Sequence, residues 1–541
     1  MNKLSIVIVA VVTMAAWNTP AQDHLHESDE KLGTVHFATS CNDVAQTEFD
    51  RAVALLHSFQ FSRAIAGFES VLREDATCGI AYWGIALSDW SNPFAPGAKD
   101  KGQLQAGRES AERGTATGAK TERERAYIAA VGKLYCNYKS TPQQIRLISY
   151  RDAMGEVAAR YPDEHEAQIF YALAVAASED PADKTYAGRL QAGAILEKLF
   201  AEEPNHPGLA HYIIHTYDVP PLAAKGLVAA RRYGAIAPDT PHALHMPSHI
   251  FTRTGYWQES IDTNIAAGAA ARREGQTAEE LHATDYEIYA YLQTAQDQAA
   301  GRIVSSLPEI ATRFDPRAVI GGAGGPSVGF FALAAIPARY ALERQDWKQA
   351  TQLVVRDTPF PYTEAMTWFA RGYGAARLGQ AEAANESAIA LQQIKERLSK
   401  ANEQYWELQV EIQQVAVAAW AAFAAGRKEE ALRKMSLAAQ LEDGTEKSAV
   451  TPGPLAPARE LLGEMFLQVN EPGHALEQFE ATLKNEPGRF RALYGAARAA
   501  QLNGNRDASQ KYYLELLSVC TRSDKPGRTE LLEAEKAVLR N

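Results

Sequence analysis

Cysteine is scarce in this sequence, and basic clusters and long apolar stretches beyond the N-terminus are absent. The 541 residues include four cysteines and no Cys-x-x-Cys pair, which excludes a dithiol redox motif and a thiolate zinc site. The net charge is −11 without a run of lysine or arginine. Nucleic acid is therefore not expected as a partner, because its binding depends on clustered positive charge.

The first 22 residues are typical of a secretory signal peptide. Lys3 is basic, an apolar stretch follows, and the small residues of NTPAQ offer a cleavage site near Ala21 or Gln22. The alternative is an N-terminal anchor helix, although the apolar stretch is short for a membrane span. We expect a periplasmic or secreted protein that does not contact a membrane after cleavage of the signal.

The four cysteines permit disulfides in an oxidising compartment. Cys41 and Cys78 flank one predicted helical hairpin, and we predict that they pair. The alternative is that all four are buried thiols, and the pattern leaves the state of Cys136 and Cys520 open.

The apolar pattern predicts helices along almost the whole chain. Apolar residues recur at intervals of three and four, and strand-like alternation is scarce. Five segments align as the turn between two helices: GRKEEAL (426–432), GNRDASQ (504–510), GYWQESI (255–261), RQDWKQA (344–350) and FQFSRAI (59–65).

Segment 456–487 resembles the tetratricopeptide repeat (TPR) family. The family's small, aromatic and proline positions are occupied by Leu462, Gly463, Phe466, Ala475, Phe479 and Pro487. The next copy starts at Phe490, one family period of about 34 residues later. The resemblance implies an all-α fold: a right-handed α-solenoid, or TPR-like superhelix, of roughly ten to twelve stacked helical hairpins. It also implies a concave groove that binds a peptide or protein.

The repeat pattern divides the chain after the signal peptide into three parts. Residues 23–441 form the main helical array, with a histidine-lined groove at about 160–300. Residues 442–455 form a polar linker, and residues 456–541 form the C-terminal repeats. The glycine-rich stretch 316–329 lacks the Lys-Ser/Thr of a phosphate-binding loop, so no nucleotide site is predicted there.

Histidine is concentrated in one part of the main array. If Pro207 and Pro241 start consecutive repeats, the same repeat positions carry histidine twice, at the fifth and at the ninth residue. In the family that the chain resembles, the second, fifth and ninth residues face the groove. The histidines and the one acidic residue at these positions in three successive repeats are His211, His215, His242, His245, His249, His282 and Asp285.

These seven residues are typical of a transition-metal site. Residues four apart share a helix face, and packed helices lie about 8–10 Å apart, so the imidazoles can share an ion. Imidazoles with a carboxylate suit a divalent Zn, Cu, Fe, Ni or Mn ion. We expect His245 to matter most because it lies between the flanking helices. Asp218 and Glu287 are candidates for orienting the histidine rings.

Other interpretations stay open. The histidines can be plain polar lining, or they can bind an anion or a peptide carboxylate together with Arg253. HYIIH has the histidine spacing of a zinc protease, but Tyr212 replaces the catalytic glutamate, which excludes that class.

The predicted function is an exported superhelix that binds a divalent transition metal and a peptide, protein or small polar ligand in its groove. One alternative is a metal-dependent enzyme, a hydrolase or oxidoreductase, built on the same scaffold. A second alternative is a plain protein- or peptide-binding scaffold without metal.

Pro247 complicates the geometry of the second histidine-bearing helix. A proline there removes a backbone donor and clashes with the carbonyl of Ala243. The helix is therefore expected either to start late, near Met246, or to kink within HMPSH. A kink would turn the histidines before and after Pro247 toward one point.

Overall fold

A computed structural model of the chain describes residues 30–95, 97, 99–180, 182–317 and 323–539, and the predicted signal peptide lies outside these ranges. Helices make up most of the described chain, and no strand occurs in it. None of the described helices combines the length and the apolar character that a membrane span requires. The predicted all-α class is confirmed.

The helices follow one another with short connections. The N-terminal half contains α1 (Asp43–His57), α2 (Phe61–Glu74), α3 (Ala81–Trp90), α4 (Lys101–Thr117), α5 (Glu122–Gly132), α6 (Gln143–Arg160), α7 (His165–Ala177), α8 (Ala187–Glu202), α9 (Pro207–Tyr217), α10 (Leu227–Ile236), α11 (Pro241–His245), α12 (Pro247–Thr254) and α13 (Trp257–Arg273). Short 3₁₀ turns occur at Lys133–Tyr135 and Ala223–Gly226. The C-terminal half contains α14 (Thr277–Gln293), α15 (Asp297–Arg313), α16 (Pro326–Glu343), α17 (Trp347–Thr351), α18 (Pro361–Arg377), α19 (Ala381–Lys400), α20 (Gln404–Ala424), α21 (Lys428–Asp443), α22 (Ala458–Gln468), α23 (Pro472–Asn485), α24 (Phe490–Leu502), α25 (Arg506–Val519) and α26 (Thr529–Leu539).

These helices form stacked antiparallel hairpins. α1 packs on α2 and α3 on α4, and the same pairing continues to α24 and α25, with α26 against the last hairpin. Successive hairpins also pack on each other, as α2 does on α3 and α13 on α14. One hairpin cannot bury both of its apolar faces, so each face is covered by the next hairpin. The chain is therefore an α-solenoid, as predicted.

The repeat boundaries agree with those read from the sequence. Pro207, Pro241 and Phe490 each begin a helix. The five aligned turns share one backbone feature, a residue in the left-handed region, which is Phe59, Gly255, Gln345, Gly426 or Gly504. The sequence alignment of these turns therefore matches a repeated backbone conformation.

The small positions of the last repeats allow a close helix contact. A Cβ added to Gly463 would lie 2.9 Å from the ring of Phe479, and one added to Gly495 would lie 2.4 Å from the same ring. Phe479 thus fills the space that two glycines leave on neighbouring helices. This is the packing that the repeat pattern predicts at its small and aromatic positions.

Both ends of the array fold back onto the repeats that carry the histidines. The N–H of Thr34 donates to the carbonyl of Asn205 at 3.0 Å, and α1 contacts α9. The indole of Trp257 donates to the carbonyl of Gly488 at 3.0 Å, and α14 contacts α24. The histidine-bearing repeats therefore lie inside the molecule.

The predicted disulfide is present at the N-terminal end of the array. Cys41 precedes α1, Cys78 follows α2, and their sulfurs are bonded. This bond ties the first hairpin together at its open end. Cys136 is an exposed free thiol and Cys520 a buried one.

Residues 444–457 connect α21 to α22, close to the predicted linker. We call residues 444–454 the inner segment, because they run along the inner wall of the array. The ammonium of Lys447 is only 5% exposed and lies 3.2 Å from Asp218. The position of this segment inside the array was not predicted from the sequence.

Candidate metal centre

The helix predicted to carry three histidines is broken at Met246. Helix α11 ends at His245 and α12 begins at Pro247, and Met246 between them keeps helical angles. Pro247 has no N–H to donate to the carbonyl of Ala243, so the helix kinks there. The second of the two expectations for HMPSH is confirmed. His242 and His245 lie before the break and His249 after it.

The six predicted histidines come together in two sets of three. The first set is His211, His215 and His242, and the second set is His245, His249 and His282. Within each set, one ring nitrogen from every residue lies within 4.8 Å of those of the other two. None of the six residues is more than 7% exposed. We call the two sets together the six-histidine centre.

The two sets adjoin each other. The ring centroids of His215 and His249 are 6.1 Å apart, and those of His242 and His245 are 6.3 Å apart. Within one set the ring of His215 lies 6.4 Å from that of His242. The separation between sets is thus no larger than a separation within a set.

Hydrogen bonds fix the protonation of two rings in the second set. Nδ1 of His249 lies 2.9 Å from a carboxylate oxygen of Asp218, and Nδ1 of His245 lies 2.7 Å from Oδ1 of Asn264. The amide of Asn264 donates through Nδ2 to the carbonyl of Ser260, which confirms that its oxygen faces the ring. Both rings therefore donate through Nδ1 and carry a lone pair on Nε2. These two Nε2 atoms face each other at 3.1 Å.

The first set shows the same pattern. Nδ1 of His211 donates to the carbonyl of His57 at 2.6 Å, which leaves its Nε2 with a lone pair 3.2 Å from Nε2 of His242. Nδ1 of His242 lies 3.8 Å from a carboxylate oxygen of Glu279, beyond hydrogen-bond distance. Nε2 of His215 is buried and has no hydrogen-bond partner among the described residues. The set therefore has two ring nitrogens without a hydrogen-bond partner among the described residues, Nε2 of His215 and Nδ1 of His242.

Five of the six rings are held in the neutral form that binds metals. Burial, reinforced by neighbouring imidazoles, holds the pKa well below its usual range for His211, His215 and His245. Burial lowers the pKa of His282 to about 3. Burial also lowers the pKa of His249, although Asp218 opposes it. Neutral imidazole is the ligand form, so these rings need not release a proton before they bind an ion.

The predicted open groove is wrong at the histidines, because aromatic rings from the N-terminal repeats fill it. The ring of Phe59 lies 4.3 Å from His211 and stacks on His215 at 5.5 Å. The ring of Phe94 stacks on His215 at 4.4 Å. Phe59 has a φ of +54°, a region that bulky residues rarely adopt, and this backbone directs its ring toward the centre.

The inner segment covers the other side of the centre. The hydroxyl of Tyr286 lies 3.0 Å from the carbonyl oxygens of both Ala449 and Thr451, and its ring lies 4.8 Å from His245. Lys447 reaches past these contacts to Asp218. The centre is thereby closed to any ligand as large as a peptide.

Asp218 has the orienting role predicted for it. Its carboxylate accepts from His249 and from Arg253 at 3.0 Å, and pairs with Lys447. Burial raises the pKa of Asp218, but Lys447, Arg253 and the bond from His249 outweigh burial and hold it well below its usual range. Arg253 is committed to this pair, which weakens the alternative that it binds an anion with the histidines. Glu287 contacts Tyr291 and no histidine.

Asp285 does not join either set. Its buried carboxylate accepts two hydrogen bonds from Arg339, at 2.8 and 3.3 Å. The repeat positions predicted Asp285 beside the histidines. Arg339, which binds it instead, lies on α16, outside the repeats that carry the histidines. The structure therefore brings together six of the seven predicted ligands.

A third cluster has metal-like spacing but a different hydrogen-bond pattern. Glu166 lies 3.0 Å from Nε2 of both His57 and His206. The other ring nitrogens are occupied as well, since Tyr212 lies 3.0 Å from Nδ1 of His57 and Leu209 N–H donates to Nδ1 of His206. We call this the histidine–glutamate network. Every ring nitrogen in it has a partner, so the network is satisfied without an ion.

Several residues around the centre were not predicted from the sequence. Asn264 gives a usable signal, because it is a polar residue among the regularly spaced buried positions of α13. His57 and Phe59 give none, because the contact between α1 and α9 joins helices that are far apart in the sequence. Glu279 also lacks a signal, since acidic residues are common in the first turn of a helix.

Comparisons with known proteins add little to this description. No protein-family model and no curated protein sequence matches the chain. Among solved structures, the chain is similar to a human IFIT1 dimer with m7Gppp-AAAA, at 10% identity and a TM-score of 0.35 over 89% of this chain and 96% of that one. It is also similar to the APC/C hetero-tetramer Cut9-Hcn1, at 12% identity and a TM-score of 0.31 over 92% and 96%. At such low scores the likeness assigns no function, and the repeat architecture rests on the chain's own contacts.

Proposed function

We propose that this protein binds transition-metal ions in the six-histidine centre, one ion in each set of three. The observation that carries the proposal is the pair of lone-pair-bearing Nε2 atoms of His245 and His249, 3.1 Å apart and buried. Two lone pairs at that distance repel each other unless a cation lies between them. An ion there satisfies both nitrogens at once.

The separations within the sets fit bound ions. Metal–nitrogen bonds of about 2.0–2.1 Å place two tetrahedral ligands about 3.3 Å apart. The closest nitrogen pairs in the two sets are 3.2 and 3.1 Å apart. The third imidazole of each set lies somewhat farther out, and side-chain shifts on the order of 1 Å bring it to bonding distance.

The donor set narrows the choice of ion. Each set offers imidazoles alone, which favours zinc, copper, iron or nickel over ions that prefer oxygen. Three ligands leave one coordination position open, as in catalytic rather than structural sites. A metal-dependent enzyme, in particular an oxidoreductase, is therefore the second candidate function.

The covering of the centre favours a small ligand over a peptide. Beyond the inner segment lies a chamber of about 360 Å³. Its walls include Arg253, Lys447, Tyr405, Trp406 and Glu486. We assign the predicted small polar ligand to this chamber, because charged and aromatic side chains together suit such a molecule.

Export is the second part of the proposal. The N-terminal sequence predicts it, and the Cys41–Cys78 disulfide supports it because disulfides persist in oxidising compartments. An extracytoplasmic protein would acquire its metal outside the reducing cytoplasm. Detection of the mature chain in the periplasm or medium, with a new N-terminus near residue 22, tests this part.

Elemental analysis of the purified, metal-reconstituted protein tests the metal proposal. We expect about two ions per wild-type chain and about one in His211→Ala/His215→Ala or in His245→Ala/His249→Ala. The variant that combines all four of these alanine substitutions, called the four-histidine variant, should hold none. Glu166→Gln is the matched control, since it alters a buried histidine cluster outside the centre and should keep about two ions. Equal metal in wild type and the four-histidine variant, with circular dichroism showing both folded, would overturn the proposal.

A further inference from the structure

We propose that the two sets hold a pair of copper ions that together bind one molecule of dioxygen. This inference rests on the proposed metal-binding function and adds to it the identity of the metal and an apolar ligand of the ions, distinct from the polar ligand assigned to the chamber. It comes from the spacing of the sets, the charge of their surroundings and an apolar void beside them.

The spacing makes the two sets one binding unit. Rings of different sets approach to 6.1 and 6.3 Å, as closely as some rings within a set. Proteins that use two metal ions together hold them roughly 3.5–4 Å apart. Ions held by two sets that adjoin at these distances would lie close enough for a ligand of two atoms to contact both.

The charge of the surroundings favours copper(I). Two divalent ions would bring a charge of about +4 into a buried site whose six ligands are neutral, and burying uncompensated charge is costly. The nearest carboxylates compensate only part of that charge. Asp218 is already paired with Arg253 and Lys447, and Glu279 lies 3.8 Å from one imidazole. Two copper(I) ions bring half that charge, and copper(I) is stable with three nitrogen ligands.

An apolar void next to the first set suits a small apolar molecule. The void measures about 20 Å³, and its walls include Leu56, Phe59, Trp90, Phe170 and Tyr212. Apolar cavities of this kind stay dry and admit apolar ligands. Phe59 lines the void and also lies 4.3 Å from the ring of His211. Dioxygen is apolar and small enough to occupy such a space. None of the six histidines lines the void, and Phe59 connects it to the first set.

The binding step balances without another reactant. Each copper(I) ion gives one electron, and dioxygen takes both to become a peroxide dianion held between two copper(II) ions. No proton moves and no other bond breaks, so removal of dioxygen reverses the step. The six neutral imidazoles stay on the ions throughout.

Anaerobic loading with copper(I), followed by exposure to dioxygen, tests the inference. We expect about two copper ions per chain, uptake of about one dioxygen per copper pair, and little copper(II) signal in electron paramagnetic resonance, because the two spins couple. Purging with argon should return dioxygen and colourless copper(I). His282→Ala should take up at least tenfold less dioxygen and, once oxidised, show the signal of isolated copper(II). Asp285→Asn, outside both sets, is the control and should behave as wild type.

A second variant tests the void without touching a ligand. Ala174 lines the void, and Ala174→Leu fills it. The variant should keep about two copper ions and bind dioxygen at least tenfold more slowly. Two bound copper ions with no dioxygen uptake, or with the signal of two isolated copper(II) ions, would overturn this inference and leave metal binding intact. Failure to bind any transition metal would overturn the proposed function itself, and binding of zinc but not copper would overturn only the inference.

Discussion

The six-histidine centre and the histidine–glutamate network are neighbours built from the same buried residue type. In the network, Glu166 accepts a hydrogen bond from each of His57 and His206, and the remaining ring nitrogens also have partners. In the centre, the lone pairs on Nε2 of His245 and His249 face each other at 3.1 Å, and Nε2 of His215 has no partner among the described residues. Metal-like spacing is common to both, so spacing alone does not identify a metal site. The two clusters differ in whether every ring nitrogen has a hydrogen-bond partner within the protein.

Charge separates the two regions as well. Burial raises the pKa of Glu166, but His57 and His206 outweigh burial and hold it well below its usual range, so the network contains its own anion. The ligand groups of the centre are imidazoles only. Asp218 at its edge is already shared by two cations, and Glu279 lies 3.8 Å from His242. The network has its charge and hydrogen bonds balanced by protein groups, whereas the centre requires a bound cation to balance its ring nitrogens.

The largest expected effect is stabilisation of the centre by metal. An ion present at about 100 times its dissociation constant adds about 2.7 kcal/mol per site to the free energy of unfolding. Wild type should therefore become more stable by up to about 5 kcal/mol with two sites filled. Denaturant unfolding with and without metal measures the gain. The four-histidine variant should show none, and a gain of similar size in that variant would place the metal elsewhere.

Glu166→Gln should separate stability from metal binding. The substitution leaves one buried histidine nitrogen without its acceptor, which costs about 1–3 kcal/mol in the free energy of unfolding. The metal content should stay at the wild-type value, because Glu166 contacts neither set. A variant of normal stability that has lost its metal would reverse the roles we give to the two clusters.

Asn264→Leu should affect only one of the two sets. It removes the acceptor that holds His245 in the tautomer with a free Nε2. Loss of such an orienting contact typically weakens metal affinity 10- to 100-fold, or about 1.4–2.8 kcal/mol. Competition with a chelator should show one weakened and one unchanged site per chain. Equal weakening of both sites would mean that the sets do not act as separate ligand groups.

Glu287→Gln should have the smallest effect. Like Asp218, Glu287 was predicted from the sequence to orient the histidine rings, but in the structure its carboxyl group hydrogen-bonds with Tyr291. We expect an unchanged metal content and a stability change within about 0.5 kcal/mol. A loss of metal comparable to that of Asp218→Asn, measured in parallel, would show that both carboxylates serve the centre.

Local repetition explains what the sequence could predict. Helix starts at Pro207 and Pro241 follow from the period of the pattern, and equal positions in stacked repeats must lie side by side. The convergence of six histidines and the pairing of Cys41 with Cys78 follow from the same logic.

Long-range contacts explain the features that the sequence could not predict. Asp285 pairs with Arg339, a residue of a later repeat. Phe59 contacts His211 because α1 packs against α9, a helix far from it in the sequence. The division into two sets was not foreseen, because it depends on the orientation of each helix around the break at Met246. A repeat pattern predicts which residues of adjacent repeats lie side by side, whereas these features depend on contacts between repeats that are distant in the sequence.

Anomalous X-ray diffraction from metal-loaded crystals tests the central claim most directly. Data collected on both sides of the metal's absorption edge should show two peaks per chain, one in each set, about 2.0–2.1 Å from the nitrogens of its three histidines. No peak should occur among His57, Glu166 and His206. A peak in that network, or the absence of peaks between His245 and His249, would contradict the distinction between a complete cluster and one that requires an ion.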